Sequence, residues 1–288
     1  MLVREYAERL TSCGESKHTA RREGFIVIAS LPMYQRSQLV QEHRRYWDLI
    51  RCGLASVGIP SPTQLSQDAD EFTTWTDPEL VLSQTCGMPY RTRLHGKVEL
   101  VGTPDFGVKG CAPGFYRSAL IVRRGDARNR VEDFAPAVFS YNQDHSQSGY
   151  AAAYQHVAAL GFWFDRRFHS GQHLASAQAV ASSVADIAAI DAVTWRLIEQ
   201  HEPFADQLRV LEWTEPTPGL PYITRRAGSV PLMFTAIEQA ISRLSEADRS
   251  ALGIVGLAHI PADAYLAVAH PPAAVTASLA LSTRARSD

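Results

Sequence analysis

The sequence predicts an α/β protein built from two lobes. Short apolar runs of strand length, such as 25–31, 79–84 and 186–191, alternate with segments whose apolar residues recur at helical spacing. Two Pro/Gly-rich segments, 104–115 and 216–221, stand about a hundred residues apart and enclose a complete set of strands and helices. This arrangement indicates that one lobe is inserted into the other. Alternating strands and helices also predict right-handed βαβ units and parallel sheets.

The first lobe is predicted from residues 25–105 together with 216–288, after a polar extension over 1–24. Apolar runs and helical spacing predict its elements as strands over 25–31, 79–84 and 98–103 and helices over 37–58, 230–244 and 246–252. Beyond residue 252 the sequence predicts a loose Ala/Pro-rich tail.

The inserted lobe is predicted over 106–215. The same signals predict its elements as strands over 116–123, 137–141, 164–168, 186–191 and 208–211 and helices over 150–160, 176–184 and 193–201. Both lobes have the size and apolar content that a packed core requires.

Composition excludes several classes of function. The 288 residues are 45% hydrophobic and 20% charged, with a formal net charge of −2, as in ordinary globular proteins. Because there is no basic excess to follow a phosphate backbone, nucleic acid is not an expected partner. No apolar run is long enough to cross a membrane.

The first 24 residues and the four cysteines bear on the compartment. Residues 1–24 are polar and lack the apolar middle of a secretory signal, which leaves open a cytoplasmic protein, a trimmed chain or a misassigned start. Cys13, Cys52, Cys86 and Cys111 are too few for a disulfide scaffold. A bridge between Cys86 and Cys111 would need an oxidising compartment, and unpaired thiols are the favoured alternative.

Polar turns follow four of the predicted strands, after Leu31, after Ser83, after Tyr141 and at Asp191. In α/β folds ligands bind beyond the carboxyl ends of strands. With two of these turns on each side of the first Pro/Gly-rich segment, the expected site is a cleft between the lobes.

The turn 144–150 (DHSQSGY) carries the strongest site signal. Its serines and glycine lie between a strand and a helix, where hydroxyls and backbone N–H groups meet the positive end of the helix dipole. Such a turn suits a phosphate-like or carboxylate-like anion. Ordinary helix capping is the alternative interpretation of the same residues.

Five stretches together resemble one known family, the phosphate/phosphonate-type substrate-binding proteins of ABC transporters, which are type II periplasmic binding proteins. The stretches are LVLSQTCGMPY, VGTPDFGVKGCAPGFYRSALIV, SQSGY, SGQHLASAQAVASSVADIAAIDAVTW and LRVLEWTEPTPGLPYIT, in consistent order over roughly 25–224. The resemblance implies two α/β lobes, joined by a two-stranded hinge, that close around a small oxoanion.

The resemblance also implies roles for individual residues of the inserted lobe. Ser146, Gln147, Ser148, Gly149 and the amide of Tyr150 would form the cradle that holds the anion oxygens. His173 would place an imidazole near the same anion, and Asp191 would face the amine of an aminophosphonate. Asp191 could equally cap the following helix, and the two roles are compatible.

The first lobe would supply the opposing side of the site. There the resemblance implies contacts from Tyr34 and from the turn 84–90, with Gln84, Thr85 and Tyr90 as the residues named. Tyr34, at the end of a strand, would suit packing as well as ligand contact.

Enzymatic function is the weaker interpretation of these residues. Ser148, His173 and Asp191 are the residue types of a hydrolase triad, but the serine turn is not a Gly-x-Ser-x-Gly elbow. The sequence has no paired metal-ligand motif and no glycine-rich dinucleotide fingerprint after the first strand, so no cofactor is expected.

The sequence therefore predicts a non-enzymatic protein that captures a small phosphonate-like or phosphate-like anion and delivers it to an ABC permease. The resemblance places such a protein in the periplasm. The alternative hypothesis is a cytoplasmic sensor or biosynthetic protein that uses the same fold for a small molecule.

Overall fold

The structure is a computed structural model that describes residues 27–67 and 70–272. The predicted polar extension, the first two residues of the first predicted strand, Cys13 and the last sixteen residues of the predicted tail lie outside the described residues.

Twelve strands are described. In chain order they are β1 Ile28–Ser30, β2 Leu80–Gln84, β3 Glu99–Asp105, β4 Phe115–Tyr116, β5 Ser118–Arg123, β6 Val138–Tyr141, β7 Arg166–His169, β8 Ile187–Asp191, β9 Leu208–Trp213, β10 Thr217–Pro218, β11 Tyr222–Thr224 and β12 Gly256–Ala258.

Nine α-helices are labelled here. They are α1 Val40–Ser56, α2 Glu71–Thr76, α3 Gly87–Pro89, α4 Ala152–Ala158, α5 His173–Ala181, α6 Ala192–His201, α7 Val230–Arg243, α8 Glu246–Leu252 and α9 Ala262–Leu266. Two π-helical turns accompany them, Tyr90–Leu94 after α3 and Gln147–Ala151 before α4. Short 3-10 turns lie at Ser37–Leu39, Val131–Phe134, Pro203–Gln207 and Ala227–Ser229.

The chain divides into two compact units. Of the described residues, unit 1 contains 27–67, 70–86, Tyr90–Gly107 and Gly219–Ala262, and unit 2 contains Gly87–Pro89, Val108–Pro218 and 263–272. The division differs from the predicted lobes at its C-terminal end, because residues 263–272 group with unit 2. There the carbonyl of Ala269 accepts a hydrogen bond from Gln155 Nε2.

Unit 1 is built on a five-stranded sheet with the order β1-β2-β11-β3-β12. Strands β1 and β2 are parallel, whereas β11 runs antiparallel to both of its neighbours and β12 runs antiparallel to β3. Tyr222 of β11 lies opposite Gln84 on one side and opposite Gly102 on the other.

Helices α1 and α7 supply much of the core of unit 1. Tyr46, Trp47 and Ile50 from α1 and Ile237 from α7 belong to one buried cluster with residues of the sheet. Gly53 of α1 permits this packing, since a Cβ there would lie 3.1 Å from the Cβ of Ala236 on α7. The missing side chain at Gly53 thus lets the two helices approach closely.

Unit 2 is built on a second five-stranded sheet with the order β7-β6-β8-β5-β9. Strand β6 is parallel to β7 and β8, and β5 is antiparallel to β8 and β9. A separate two-stranded pair joins β4 to β10, with Thr217 opposite Tyr116.

Both faces of the unit 2 sheet are buried. Along β5, Leu120 and Val122 belong to one core cluster, while Ala119 and Ile121 belong to another. Because successive side chains of a strand point to opposite faces, this alternation shows a sheet covered on both sides.

The predicted α/β class and two-lobed architecture are confirmed, but the prediction of parallel sheets is wrong in part. Each sheet contains antiparallel pairs because β11 and β5 run against their neighbours. The sequence did not reveal β11, a three-residue strand directly after a Pro/Gly-rich segment, nor α2, β12 and α9. Short elements such as these carry too few residues to show a period.

Two further expectations concern cysteines and membranes. Cys52, Cys86 and Cys111 are not in disulfides. Among the described residues, no helix combines the length and the apolar character that a membrane crossing requires.

Candidate functional site

The serine turn follows β6 and opens a helix with an unusually wide first turn. Ser146 is the N-cap residue, with an extended backbone, and its Oγ accepts a hydrogen bond from the Gly149 N–H at 3.0 Å. The next turn is π-helical, closed by the Ala151 N–H donating to the Ser146 carbonyl at 3.0 Å. Such wide turns are rare and occur frequently at functional sites.

Ser148 and His173 form the central side-chain pair of this region. The Ser148 Oγ lies 2.9 Å from the His173 Nε2, and His173 is the first residue of α5. Which atom donates depends on the tautomer of the imidazole. The hydroxyl and the imidazole are therefore two side-chain groups that can exchange their mutual hydrogen bond for one to a bound anion.

Gly149 is required by the close packing of this region. A Cβ at residue 149 would lie 1.8 Å from the Oδ1 of Asn142, 2.8 Å from its Cγ and 3.0 Å from the Cε1 of His173. The Asn142 Oδ1 is buried, and no hydrogen-bond partner for it occurs among the described residues. Asn142, Gly149 and His173 therefore converge next to the Ser148 hydroxyl.

A second layer of buried hydroxyls holds the serine turn in place. Ser118, the first residue of β5, donates its Oγ proton to the Ser148 carbonyl at 2.9 Å. The Ser118 N–H in turn donates to the Thr214 Oγ1 at 3.0 Å, and the Thr214 N–H donates to the Ser118 carbonyl. All three residues are buried. Ser118 and Thr214 are not among the residues predicted from the sequence, although a serine directly before the apolar run ALIV is a usable signal.

Asp191 serves as a helix cap. It ends β8, and its Oδ1 accepts hydrogen bonds from the N–H groups of Val193 and Thr194 at 2.7 and 3.0 Å. The side chain is buried. Capping, one of the two roles considered for Asp191, is observed, while its role toward a ligand amine stays a prediction.

The side chain of Tyr150 belongs to the core of unit 2. Its ring is 1% exposed and packs edge-on against Tyr141 and Trp163, with centroid distances of 4.9 and 5.3 Å. Burial raises the pKa of the Tyr150 phenol to about 12. The ring of Tyr150 is therefore a core side chain, and the role of its backbone amide in the cradle stays a prediction. Gln147 is buried in the same helical turn.

In unit 1, Gln84 and Thr85 are engaged with the segment that precedes β11. The Gln84 Nε2 donates to the Leu220 carbonyl at 3.0 Å, and the Thr85 N–H donates to the Pro221 carbonyl at 3.1 Å. The Gln84 carbonyl also accepts the indole N–H of Trp75. Both predicted residues are buried, and their contribution to ligand binding stays a prediction.

Tyr34 and Tyr90 have different surroundings. Tyr34 has a left-handed backbone with φ of 62°, which is uncommon for a residue other than glycine and is often found at functional positions. Its ring packs edge-on against Phe106 at 4.9 Å. Tyr90 is buried, and burial raises the pKa of its phenol.

The structure brings the predicted residues together in two groups. Unit 2 holds Ser146, Gln147, Ser148, Gly149, Tyr150, His173 and Asp191, and unit 1 holds Tyr34, Gln84, Thr85 and Tyr90. The first group contains the Ser148–His173 contact, and Asn142, Ser118 and Thr214 complete its surroundings. In the part of the chain that the structure describes, no three His, Cys, Asp or Glu side chains are grouped as metal ligands.

One family model matches the chain. It is described as the periplasmic substrate-binding protein of phosphonate ABC transporters, and it matches residues 90–263. The match includes the serine turn, His173 and Asp191. No curated protein matches the chain by sequence.

Several solved structures share the fold. A PhnD1 protein of Prochlorococcus marinus in complex with methylphosphonate is 12% identical, covers 83% of this chain and 94% of its own, and superposes with a TM-score of 0.63. A binding-protein component of an ABC phosphonate transporter from Pseudomonas aeruginosa is 17% identical over 75% of this chain and 78% of its own, with a TM-score of 0.56. XAC2383 from Xanthomonas citri, bound to ATP, is 14% identical over 83% and 92%, with a TM-score of 0.61. At these identities the likeness concerns the fold.

Proposed function

The chain belongs to the periplasmic substrate-binding proteins of phosphonate ABC transporters, and we propose that it binds the phosphonate group of its ligand at the serine turn of unit 2. The observation that carries this proposal is the Ser148–His173 pair at the first turn of a helix, 2.9 Å from oxygen to nitrogen. Two donors of different chemistry meet there beside backbone N–H groups that favour negative charge.

In the proposed complex, the hydroxyl of Ser148 turns from His173 toward an oxygen of the anion. The imidazole of His173 donates to the same group from its Nε2. Ser146 accepts the Gly149 N–H through its Oγ, and this bond does not use the hydroxyl proton of Ser146, which is available to the anion. Asn142, with its buried Oδ1, borders the same position.

The expected hydrogen-bond energies are compatible with micromolar binding at this site. A hydrogen bond to a charged group contributes about 1.5–3 kcal/mol, so three side-chain donors supply roughly 5–9 kcal/mol before the costs of association. Micromolar affinity requires about 8 kcal/mol. The backbone N–H groups of the turn are therefore needed in addition to the side chains.

We propose binding rather than hydrolysis for the Ser148–His173 pair, in keeping with the transport role of the family. The test is incubation with p-nitrophenyl phosphate and a p-nitrophenyl ester. We expect no release of nitrophenol above the uncatalysed rate. Turnover that disappears in Ser148→Ala would establish a hydrolase instead.

The ligand assignment is tested by calorimetric titration with methylphosphonate and with 2-aminoethylphosphonate. Replacing Ser148→Ala should weaken methylphosphonate binding at least about tenfold, because one hydrogen bond to a charged group is lost. The matched control is Ser140→Ala, a buried serine of β6 whose Oγ has no hydrogen-bond partner among the described residues. Equal affinity of wild type and Ser148→Ala would contradict the proposal that the serine turn binds the phosphonate group.

The role of Asp191 is tested by the same titrations. If its carboxylate faces a ligand amine, Asp191→Asn should weaken 2-aminoethylphosphonate more than methylphosphonate, since an amide can still accept the two helix N–H groups. Equal effects on both ligands would leave Asp191 as a cap.

The proposal extends to location and partner. A protein of this family delivers its ligand to an ABC permease from the periplasm, and we propose the same for this chain. Fractionation of cells that carry the complete gene is the test. Recovery with periplasmic markers is expected, and recovery with cytoplasmic markers would favour the sensor hypothesis.

A further inference from the structure

Unit 1 contains a cavity that the proposed function does not use. Its volume is about 480 Å³, and it lies between α2 and the segment that joins the π-helical turn Tyr90–Leu94 to β3. The lining residues are Phe72, Thr76, Arg91, Thr92, Arg93, Leu94, His95 and Lys97.

The lining is strongly unbalanced in charge. Three of the eight lining residues are Lys or Arg and none is acidic, although the whole chain has 28 Lys and Arg against 30 Asp and Glu. Arg93, His95 and Lys97 are exposed, and no carboxylate of the described residues lies within 4.0 Å of their nitrogen atoms. No ion pair within the described chain therefore offsets the positive charges of Arg93 and Lys97.

Two short backbone hydrogen bonds fix the turn that carries His95 and Lys97. The His95 N–H donates to the Tyr90 carbonyl at 2.8 Å, and the Lys97 N–H donates to the Leu94 carbonyl at 2.8 Å. Gly96, between them, has a left-handed backbone with φ of 76°. The turn thus presents His95 and Lys97 from fixed positions, which lowers the ordering cost of binding.

Two guanidinium groups are also held in position. The Arg93 guanidinium lies over the ring of Phe72, 4.5 Å from the ring centroid, so that its plane is oriented by the aromatic face. The Nη1 of Arg225, which follows β11, donates to the Lys97 carbonyl at 2.6 Å. This contact brings a further cation to the rim of the cavity.

Some of these basic residues offset the partial negative charge of the carbonyls at a helix end, but this role does not explain all of them. Arg91 and Arg93 lie in the last turn of the π-helical segment, where cations offset the partial charge of terminal carbonyls. His95 and Lys97 lie beyond the last turn of this segment.

We propose that this cavity is an anion site for phosphoryl groups, separate from the serine turn. Planar guanidinium groups donate two parallel hydrogen bonds to phosphoryl oxygens, and a lysine adds a point charge. The volume accommodates a diphosphate or the phosphate of a larger molecule. The shared chemistry is a phosphoryl anion, and its source is either a free phosphate compound or an anionic lipid headgroup.

The first experiment is calorimetric titration of the full chain with inorganic pyrophosphate. The double variant Arg93→Ala/Lys97→Ala should bind pyrophosphate at least about tenfold more weakly than wild type, since a bidentate contact and a charge are removed. The matched control is Lys109→Ala/Arg243→Ala, which removes the same charge from two exposed positions away from the cavity. Methylphosphonate affinity of the cavity variant should stay within about twofold of wild type.

The second experiment identifies the source of the phosphoryl group. Vesicles of phosphatidylglycerol and of phosphatidylcholine are sedimented with the wild type and with the cavity variant. Binding to phosphatidylglycerol that the cavity variant loses assigns a lipid headgroup, whereas pyrophosphate binding without vesicle binding assigns a free phosphate compound.

Three results would overturn the proposal. They are no pyrophosphate binding by wild type at millimolar concentration, an equal loss in the control double variant, and loss of pyrophosphate binding in Ser148→Ala. The last result would place pyrophosphate at the serine turn. Since the lining residues changed are exposed, both double variants are expected to fold, and their thermal unfolding verifies this.

Discussion

The turn after β2 in unit 1 and the turn after β6 in unit 2 look alike in sequence but use their polar groups differently. Each follows a buried strand and leads into a π-helical turn. In unit 1 the amide of Gln84 is bonded to a backbone carbonyl. In unit 2 the hydroxyl of Ser148 is bonded to the imidazole of His173.

The two turns differ in the free-energy cost of breaking the hydrogen bond that each side chain makes. A buried carbonyl that loses its donor costs about 1–3 kcal/mol, so Gln84 is held in place by Leu220. A serine and a histidine can each accept or donate, and both can be satisfied by a bound anion. A polar turn after a strand can therefore stabilise the fold or bind a ligand, depending on the partners of its side chains.

The largest expected effect comes from Gly149→Ala. The added Cβ would overlap the Asn142 carboxamide, so the turn must shift, at a cost of about 1–3 kcal/mol in the free energy of unfolding. Methylphosphonate affinity should fall about a hundredfold, since several donors move together. Gly125→Ala is the control, because a Cβ there has no neighbour within 4 Å. Unchanged affinity in Gly149→Ala would contradict the site in unit 2.

The next effect is expected from Ser118→Ala, which removes the donor to the Ser148 carbonyl. The free energy of unfolding should decrease by about 1–3 kcal/mol, since that carbonyl stays buried. Methylphosphonate affinity should fall several-fold as Ser148 loses its support. Ser140→Ala again serves as the control. If Ser118→Ala and Ser140→Ala bind methylphosphonate equally well, Ser118 does not position the site.

Alkaline pH should destabilise the fold through the buried phenol of Tyr150. Because burial raises the pKa of Tyr150 to about 12, the folded state holds the phenol proton more tightly than the unfolded state does. Its contribution to stability is complete below pH 10 and is lost as the pH rises toward 12. Between pH 8 and 11.5 the free energy of unfolding should therefore decline by about 2 kcal/mol on account of Tyr150.

Urea unfolding at pH 8 and at pH 11.5 measures this decline, and Tyr150→Phe should remove that part of it. The remaining slope includes Tyr46 and Tyr222 of unit 1, whose pKa values burial also raises. The same slope in wild type and Tyr150→Phe would mean that the phenol of Tyr150 is solvated.

The smallest effect on ligand affinity is expected from Gln84→Leu, which tests the turn after β2 in unit 1. Loss of the bond to the Leu220 carbonyl should cost about 1–3 kcal/mol of stability, because that carbonyl loses its donor while the leucine retains most of the packing. If Gln84 only stabilises the fold, methylphosphonate affinity stays within about twofold. A tenfold loss of affinity in calorimetry would instead place Gln84 among the ligand contacts.

Much of the architecture could be predicted from local sequence patterns. The runs that form β2, β5 and β8, and the helical spacing of α1 and α7, are visible because each contains enough residues to show its period. The serine turn was recognisable for the same reason, since Ser146 caps the helix within three residues of itself.

The partners of the polar side chains could not be predicted in this way. Ser118 and Ser148 are 30 positions apart, and Gln84 and Leu220 are 136 apart, so no local pattern links them. The antiparallel strand β11 was hidden for a related reason, because its place between β2 and β3 depends on distant chain segments.

By itself, then, the sequence determined the α/β class, the family and the position of the serine turn, because these depend on short-range periodicity, capping and contiguous motifs. Only the tertiary structure showed that Ser148 meets His173, that Gln84 is tied to Leu220, and that Arg93 and Lys97, which have no carboxylate within 4.0 Å among the described residues, line a cavity. The physical reason is that hydrogen-bond partners and local charge balance depend on residues that folding brings together from distant parts of the chain.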